Sequence, residues 1–124
     1  MTKILVVEDE QAIADMYRIK LENDKFDVKT APNGKLGLEL SEQWKPDLVL
    51  LDLMMPIMSG PQMLEKMRST DWGKDMPVII ISNLGIERSD VDLGKYKVKA
   101  YIVKALYTPK EIVAEVKKHL KVSH

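Results

Sequence analysis

The sequence has no cysteine, no net charge and no long apolar run. Without cysteine the chain can form neither disulfides nor thiol sites, which fits a reducing cytosol. Nineteen Lys and Arg residues balance 19 Asp and Glu residues, so no net field attracts nucleic acid or an anionic membrane. The apolar runs are too short to cross a bilayer. We therefore expect a cytoplasmic protein that binds neither nucleic acid nor membranes directly.

The length of 124 residues is typical of one domain. The sequence contains no repeat, linker or low-complexity segment. We therefore expect a single domain over residues 1–124, with a core that needs no disulfide staple.

One stretch, residues 48–60, organises the rest of the chain. The run Leu48–Leu51 is apolar throughout and ends in the carboxylate of Asp52. A strand that is apolar on both faces is typical of the centre of a parallel sheet covered by helices on each side. Functional groups in such sheets lie at the carboxyl ends of the strands, so Asp52 is the first candidate functional residue.

Hydrophobic patterning along the chain predicts five strands alternating with five helices. The strands are predicted at 4–7, 26–31, 48–52, 77–82 and 100–104, and the helices at 11–23, 35–43, 60–68, 86–95 and 109–120. The short connections imply right-handed crossovers and an open parallel sheet. This indicates an α/β, flavodoxin-like, three-layer (βα)5 fold, with a five-stranded parallel sheet in the order 2-1-3-4-5 and helices on both faces.

Two helix starts carry strong local signals. Ser59 with Gln62, and Thr108 with Glu111, have the spacing of a capping box. The short helix at 35–43 is assigned from the fourfold spacing of Leu36, Leu40 and Trp44, and the stretch at 86–95 is a weaker helical pattern.

Four of the five predicted strands end in polar groups, which the fold brings to one edge: Glu8 with Asp9, Asp52, Ser82 and Lys104. Clustered carboxylates repel one another, and a hard cation such as Mg²⁺ relieves that repulsion. A lysine beside them supplies a compact positive charge for an anionic group. Together these residues favour a site where Asp52 is the nucleophile on a phosphoryl group while the cation and the lysine neutralise the developing charge.

Each of these residues also has an ordinary structural interpretation. Asp52 alone could be a helix cap, the acidic run at 8–10 a solvated helix start, Ser82 a turn residue and Lys104 a surface charge. Tyr101 alone is a half-buried strand aromatic, and the methionines at 54, 55 and 58 are packing residues. The functional interpretation depends on the four strand ends occurring together.

With these residues in place, the sequence resembles the receiver domains of bacterial two-component response regulators, in particular single-domain regulators of the chemotaxis type. The resemblance covers essentially the whole chain and is carried by Ile-Leu-Val-Val-Glu-Asp-Glu at 4–10, Leu-Leu-Asp-Leu-Met-Met-Pro-Ile-Met-Ser-Gly at 50–60, Ile-Ser at 81–82 and Tyr-Ile-Val-Lys at 101–104. It implies that Asp52 accepts a phosphoryl group from a phosphohistidine of a sensor histidine kinase or phosphotransfer protein. It also implies that the chain catalyses only its own phosphorylation and dephosphorylation.

The resemblance assigns further roles. Mg²⁺ would be held by Glu8, Asp9, Asp52 and the backbone carbonyl of Met54, with Glu8 acting through water. Lys104 would pair with Asp52 and then with the phosphoryl group.

The remaining implied roles concern the switch. Ser82 would bond a phosphoryl oxygen, and Tyr101 would rotate inward as Ser82 moves. This would remodel the face made by the predicted helix at 86–95, the fifth strand and the last helix, where an output protein of unknown identity would bind. No output domain is expected in this chain, and a phosphorylation-linked homodimer and a fragment of a longer protein both stay open.

The sequence departs from the family pattern in several places. Ala105 replaces the usual proline after the strand-five lysine, and we expect a trans bond because a cis bond before a non-proline residue costs about 2.5–4 kcal/mol. Asn83 is larger than the usual residue and is expected to narrow access to the site. Met54 and Leu84 are apolar and cannot orient an attacking water, so we expect slow autodephosphorylation. Residues 96–98 lack the usual glycine, which predicts a short or irregular fourth helix.

Three alternatives come from other functional classes. A receiver-like module that no longer switches would bind partners constitutively, and Ala105 and Asn83 favour it slightly. A phosphatase with an aspartyl intermediate commonly needs a second acid at the position of Met54. A flavin-binding flavodoxin would need a phosphate loop after the first strand, where three acids stand and would repel the phosphate.

Overall fold

The computed structural model of the chain describes residues 1–83, 92 and 94–120. Its strands are β1 (Lys3–Val7), β2 (Asp27–Ala31), β3 (Leu48–Asp52), β4 (Val78–Ser82) and β5 (Ala100–Val103), and its helices are α1 (Gln11–Asn23), α2 (Gly34–Trp44), α3 (Gly60–Arg68) and α4 (Pro109–His119). A short 3₁₀ helix over Lys104–Leu106 follows β5 directly. Leu84 and most of the helix predicted at 86–95 lie outside the described residues. The longest described helix, α1, has 13 residues, too few to cross a bilayer.

The five strands form one parallel sheet in the order β2-β1-β3-β4-β5. This confirms the predicted fold class and strand order. The central strands β3 and β4 are buried at every position, whereas β2 alternates between exposed and buried residues. The alternation follows from its place at the edge of the sheet, where only one face is fully covered.

Side chains that alternate along the strands divide the core into two layers. One layer lies between the sheet and helices α1 and α4, and its helical members are Ala14, Tyr17, Leu21, Ile112, Val113 and Val116. The other lies between the sheet and helices α2 and α3, and its α3 members are Met63, Leu64 and Met67. The helices therefore cover both faces of the sheet, as predicted.

Both predicted capping boxes are present. The Ser59 hydroxyl accepts the N–H of Gln62 at 3.3 Å, and the Gln62 side chain accepts the N–H of Ser59 at 3.0 Å. The same reciprocal pair joins Thr108 and Glu111, at 3.1 and 2.8 Å. These bonds satisfy backbone N–H groups that have no partner within the helix, and they fix where the two helices begin.

The predicted apolar face of α2 was partly wrong. Leu36 is 42% exposed, and the fully buried positions of this helix are Gly34, Gly37 and Ser41. A Cβ at Gly37 would lie 2.9 Å from Val7 Cγ2, so small residues let the helix approach β1 closely. Periodicity of large apolar residues does not detect a helix that packs through its small ones.

Gly60, the first residue of α3, lies against the end of β3. Its N–H donates to the carbonyl of Leu53 at 2.9 Å. A Cβ at this position would overlap the backbone carbonyl of Asp52 and lie 2.8 Å from the Cα of Leu53. Because both neighbours are backbone atoms, neither can rotate away, and α3 packs against the strand end only with glycine here.

We predict that Gly60→Ala lowers the free energy of unfolding by about 1–3 kcal/mol, because the new methyl group forces the start of α3 away from β3. Urea denaturation followed by circular dichroism measures the change. The matched control is Gly94→Ala, where the nearest atom to the new Cβ is Asp92 Oδ1 at 3.7 Å. The control should keep or slightly raise the urea midpoint, and equal midpoints for the two variants would contradict the steric argument.

Candidate functional site

The register of the sheet brings the four polar strand ends together. Val7 pairs with Leu51, so Glu8 follows at the level of Asp52. Asp52 pairs with Ile81, and Ser82 pairs with Val103. Ser82 therefore lies one residue beyond the level of Asp52, and Lys104 lies one residue beyond Ser82, at the same carboxyl edge, as the sequence predicts.

Three carboxylates form a compact acidic cluster at this edge. One oxygen each from Glu8, Asp9 and Asp52 lie within 4.8 Å of one another. Glu8 and Asp52 are buried, at 2% and 6% exposure, while Asp9 is exposed. Carboxylate oxygens with one side open to solvent fit Mg²⁺, which prefers a few carboxylate ligands and keeps several waters. The residues present therefore fit the cation that the sequence implies.

Lys104 contacts both buried carboxylates unequally. Its Nζ lies 2.7 Å from Glu8 Oε1 and 3.7 Å from Asp52 Oδ2. The second oxygen of Glu8 accepts the N–H of Glu10 at 3.2 Å. The resemblance implies that Lys104 pairs with Asp52; that ion pair is present at 3.7 Å, but the lysine's hydrogen bond goes to Glu8.

This geometry separates the pKa values of the two buried acids. Burial, followed by the charge of Glu8, raises the pKa of Asp52 to about 7, and Lys104 only partly opposes the rise. Burial also acts to raise the pKa of Glu8, but the hydrogen bonds from Lys104 and from the Glu10 N–H outweigh it, so that pKa is lowered. Additional positive charge at this edge would favour the ionised form of Asp52.

The pKa of Lys104 is shifted in the direction that keeps it charged. Burial acts to lower this pKa, but the hydrogen bond to Glu8 and the charge of Asp52 raise it above its usual value. Lys104 is therefore a cation at neutral pH, held inside a site whose acids have no other described basic partner within ion-pair distance.

The two predicted switch residues lie on neighbouring strands. Ser82 is 1% exposed at the end of β4. Tyr101 is half-buried on β5, in register with Ile80, and packs against the core layer of α2 and α3. The inward rotation of Tyr101 stays a prediction.

The loop after Asp52 has a constrained backbone and exposed side chains. The N–H of Met54 donates to the Asp52 carboxylate, and the Met54 side chain is 66% exposed. Ile57 has a positive φ of 69° and is 77% exposed, an uncommon conformation for a β-branched residue. The Met58 N–H donates to the Pro56 carbonyl at 2.7 Å, and the Met58 carbonyl accepts the Gly34 N–H at 2.9 Å. The second of these two bonds connects the loop to the start of α2.

A cavity of about 340 Å³ lies beside Lys104, and its lining includes Tyr17, Asn83, Ala105 and Tyr107. Asn83 is exposed at the mouth of the site. Tyr17, a buried residue of α1, also lines this cavity, and helical periodicity alone does not show which inward side chain extends towards the strand ends.

No peptide bond among the described residues is cis, so the expected trans bond between Lys104 and Ala105 is confirmed.

Comparison with known proteins identifies the family of this arrangement. The family model described as "Response regulator receiver domain" matches residues 4–117. The transcriptional regulatory protein SrrA of Staphylococcus aureus is 35% identical over 115 residues, which are 93% of this chain and 46% of SrrA. The DNA-binding dual master transcriptional regulator RpaA of Synechocystis is 38% identical over 85 residues, which are 68% of this chain and 35% of RpaA. The chain thus spans less than half the length of these curated relatives.

Solved structures share the fold over nearly the whole chain. The chemotaxis protein CheY4 of Vibrio cholerae has a TM-score of 0.88 at 22% identity, with 97% of this chain and 99% of that chain covered. The response regulator TrrA of Thermotoga maritima, solved in complex with Mg²⁺ and beryllofluoride, has a TM-score of 0.81 at 32% identity, with 95% and 98% covered. The first likeness supports the fold, and the second supports both the fold and the family.

We predict that Asp52→Asn stabilises the metal-free protein at alkaline pH. The folded-state pKa of about 7 lies above the usual aspartate value of 3.8, so the ionised carboxylate destabilises the fold above pH 7. This penalty fades as the pH falls from 7 towards 4. In a chelating buffer the variant should be more stable at pH 8 by up to about 4 kcal/mol, and the difference should close near pH 4.

Urea denaturation at several pH values measures this difference. The matched control is Asp71→Asn, which removes an exposed carboxylate from the loop after α3 and should change stability little at any pH. If the wild type were more stable than Asp52→Asn at pH 8, Asp52 would not be held in an unfavourable ionised state.

Proposed function

Because the chain belongs to the family of response regulator receiver domains, we propose that it is a two-component phosphorelay switch whose Asp52 accepts a phosphoryl group. The donor would be a phosphohistidine of a sensor histidine kinase or of a phosphotransfer protein. The observation that carries the proposal is the buried Asp52 carboxylate, which lies between an acidic cluster and the ammonium group of Lys104. We propose that residues 1–124 form one receiver unit with this activity.

In the proposed reaction an Asp52 oxygen attacks the phosphorus atom, and the bond from phosphorus to the donor histidine nitrogen breaks. The phosphoryl oxygens carry negative charge throughout, and the Lys104 ammonium moves from Glu8 and Asp52 to neutralise it. The Ser82 hydroxyl donates a hydrogen bond to one phosphoryl oxygen. No other substrate is turned over, so the chain would catalyse only its own phosphorylation and dephosphorylation.

Mg²⁺ would be held by Glu8, Asp9 and Asp52, together with the backbone carbonyl of Met54. When bound, it would supply positive charge to the phosphoryl oxygens. Two observations support this cofactor: the carboxylate oxygens lie close together, and TrrA, 32% identical to this chain, was solved in complex with Mg²⁺ and beryllofluoride.

The output is proposed to be a change of surface. After phosphorylation Lys104 would leave its present partners, and Ser82 would bond a phosphoryl oxygen. Both changes would shift the conformational equilibrium of the neighbouring β5, where Tyr101 lies half-buried. Tyr101 would then rotate inward and alter the face that β5 and α4 contribute to. A protein partner that reads one form of this face would complete the switch. The two curated relatives are transcriptional regulators by name, but this chain covers less than half of each, so the output partner of this chain stays open.

We predict that the wild-type chain gains one phosphoryl group when incubated with acetyl phosphate and Mg²⁺, and that Asp52→Asn and omission of Mg²⁺ each abolish the gain. Intact-mass spectrometry measures the adduct. The matched control is Asp47→Asn, an aspartate that precedes the same strand at the opposite edge of the sheet and accepts the Lys3 N–H. This control should be phosphorylated like the wild type.

Two results would contradict the proposal. An adduct that survives in Asp52→Asn would show that another group is modified. No adduct together with no Mg²⁺ binding by calorimetry would favour a receiver-like module that binds its partner without switching.

We further predict a long-lived phosphoryl group on Asp52 and a shorter lifetime in Met54→Asn. The thioether of Met54 cannot hold an attacking water, whereas an amide two residues after Asp52 can orient one, which should speed hydrolysis roughly tenfold. The matched control is Ile57→Asn, which places the same amide on an equally exposed part of the loop but farther along the chain from Asp52. Mass spectra taken over time after removal of the donor give the lifetimes. Equal lifetimes for Met54→Asn and the wild type would contradict this account.

A further inference from the structure

Tyr17 places a phenol in an otherwise apolar core layer. It is 4% exposed, and every other buried member of that layer is apolar, while a second tyrosine, Tyr107, packs against the layer but is only partly buried. A leucine or phenylalanine would bury the same apolar area without a hydroxyl group. Burying a hydroxyl costs free energy unless it has a polar partner, so the hydroxyl of Tyr17 needs a reason in its surroundings.

The polar surroundings of Tyr17 are the phosphoryl site. Tyr17 lines the cavity of about 340 Å³ together with Lys104. Burial raises the pKa of Tyr17, the charge of Lys104 opposes that rise, and the charges of Glu8 and Asp52 add to it. All three charged groups of the site therefore act on the phenol. In the described part of the chain no hydrogen bond to this hydroxyl is formed, and every fully buried polar side-chain atom has a partner, so the Tyr17 oxygen is not fully buried.

Lys104 needs a further acceptor when the site is in use. Its ammonium has three N–H donors, and one of them bonds Glu8 at 2.7 Å. Asp52, at 3.7 Å, is beyond hydrogen-bond distance. Under the proposed function Glu8 also helps to hold Mg²⁺, so two positive charges then compete for one carboxylate. A neutral acceptor on the cavity side would hold the ammonium without competing for the negative charge of Asp52 or of the phosphoryl group.

We propose that Tyr17 is a positioning residue whose hydroxyl accepts a hydrogen bond from the Lys104 ammonium when Glu8 is engaged elsewhere, and so keeps that ammonium beside Asp52 during phosphoryl transfer. The proposal rests on the proposed function and adds to it a residue that lines the cavity beside Lys104. Tyr17 acts through Lys104 and does not touch the phosphoryl group.

The test compares Tyr17→Phe with the wild type at saturating Mg²⁺. The variant keeps the ring and the packing and loses one oxygen. Phosphorylation by acetyl phosphate, followed by intact mass, should be five- to tenfold slower, and the affinity for beryllofluoride, a stable phosphoryl mimic, should fall by a similar factor. The thermal midpoint without Mg²⁺ should stay within a few degrees of the wild type, because Lys104 then rests on Glu8.

The matched control is Tyr107→Phe, which removes a second phenol oxygen that lines the same cavity and should leave both measurements unchanged. Equal rates and equal beryllofluoride affinities for Tyr17→Phe and the wild type would overturn the proposal. An equal loss in Tyr107→Phe would also overturn it, because the effect would then belong to the cavity as a whole.

A measurement on the wild type alone provides a second test. Nuclear Overhauser contacts between the Lys104 ε-methylene group and the Tyr17 ring should strengthen as Mg²⁺ is added, and no change or a weakening would overturn the proposal without any variant. The experiments distinguish a failure of the proposed function from a failure of the role proposed for Tyr17. A wild-type chain that takes neither the phosphoryl group nor beryllofluoride removes the proposed function and the role of Tyr17 with it, whereas a phosphorylated wild type matched by Tyr17→Phe removes only the role of Tyr17.

Discussion

Two buried carboxylates share a single lysine at the carboxyl edge of the sheet, and the rest of the fold holds that arrangement in place. Glu8 and Asp52 come from adjacent strands, and Lys104 follows the strand at the far edge. Like charges at this distance repel, and neither acid is exposed enough for water to screen the repulsion. The parallel register is what forces the three groups together, because a slip by one residue would turn each side chain to the opposite face.

Glu8 and Asp52 compete for Lys104, and the charges of the two acids are compensated unequally. Glu8 holds the ammonium at 2.7 Å, and Asp52, at 3.7 Å, has a pKa raised to about 7. The group proposed as the nucleophile is thus the one whose charge is least well compensated. Any ligand that brings positive charge, or any event that draws Lys104 away from Glu8, changes the energy of the site. A site in this condition would respond to one added group, as the proposed two-state switch requires.

Much of this arrangement could be predicted from the sequence, because it depends on local signals. Apolar runs that end in polar residues locate the strands, and capping boxes locate the starts of α3 and α4. The crossover rules indicate an open parallel sheet, the flavodoxin-like order 2-1-3-4-5 was expected for it, and that order places Asp52 beside Glu8. Leu36 was assigned to the wrong environment because α2 packs through glycine and serine, which carry no hydrophobic signal. The nearer partner of Lys104 and the reach of Tyr17 depend on side-chain directions across three elements, and no spacing along the chain encodes those.

The close contact of Gly60 with the end of β3 limits how this protein can vary. The backbone between Asp52 and Gly60 is tied at both ends and also through Met58 to Gly34, so a residue inserted or deleted there would break bonds to two helices. The side chains of Met54 and Ile57 point away from these bonds into solvent, at 66% and 77% exposure. The length of the loop is therefore constrained, whereas the exposed side chains of Met54 and Ile57 can be substituted. Point substitutions can change the rim of the site, but the spacing of eight residues from Asp52 to Gly60 must stay the same.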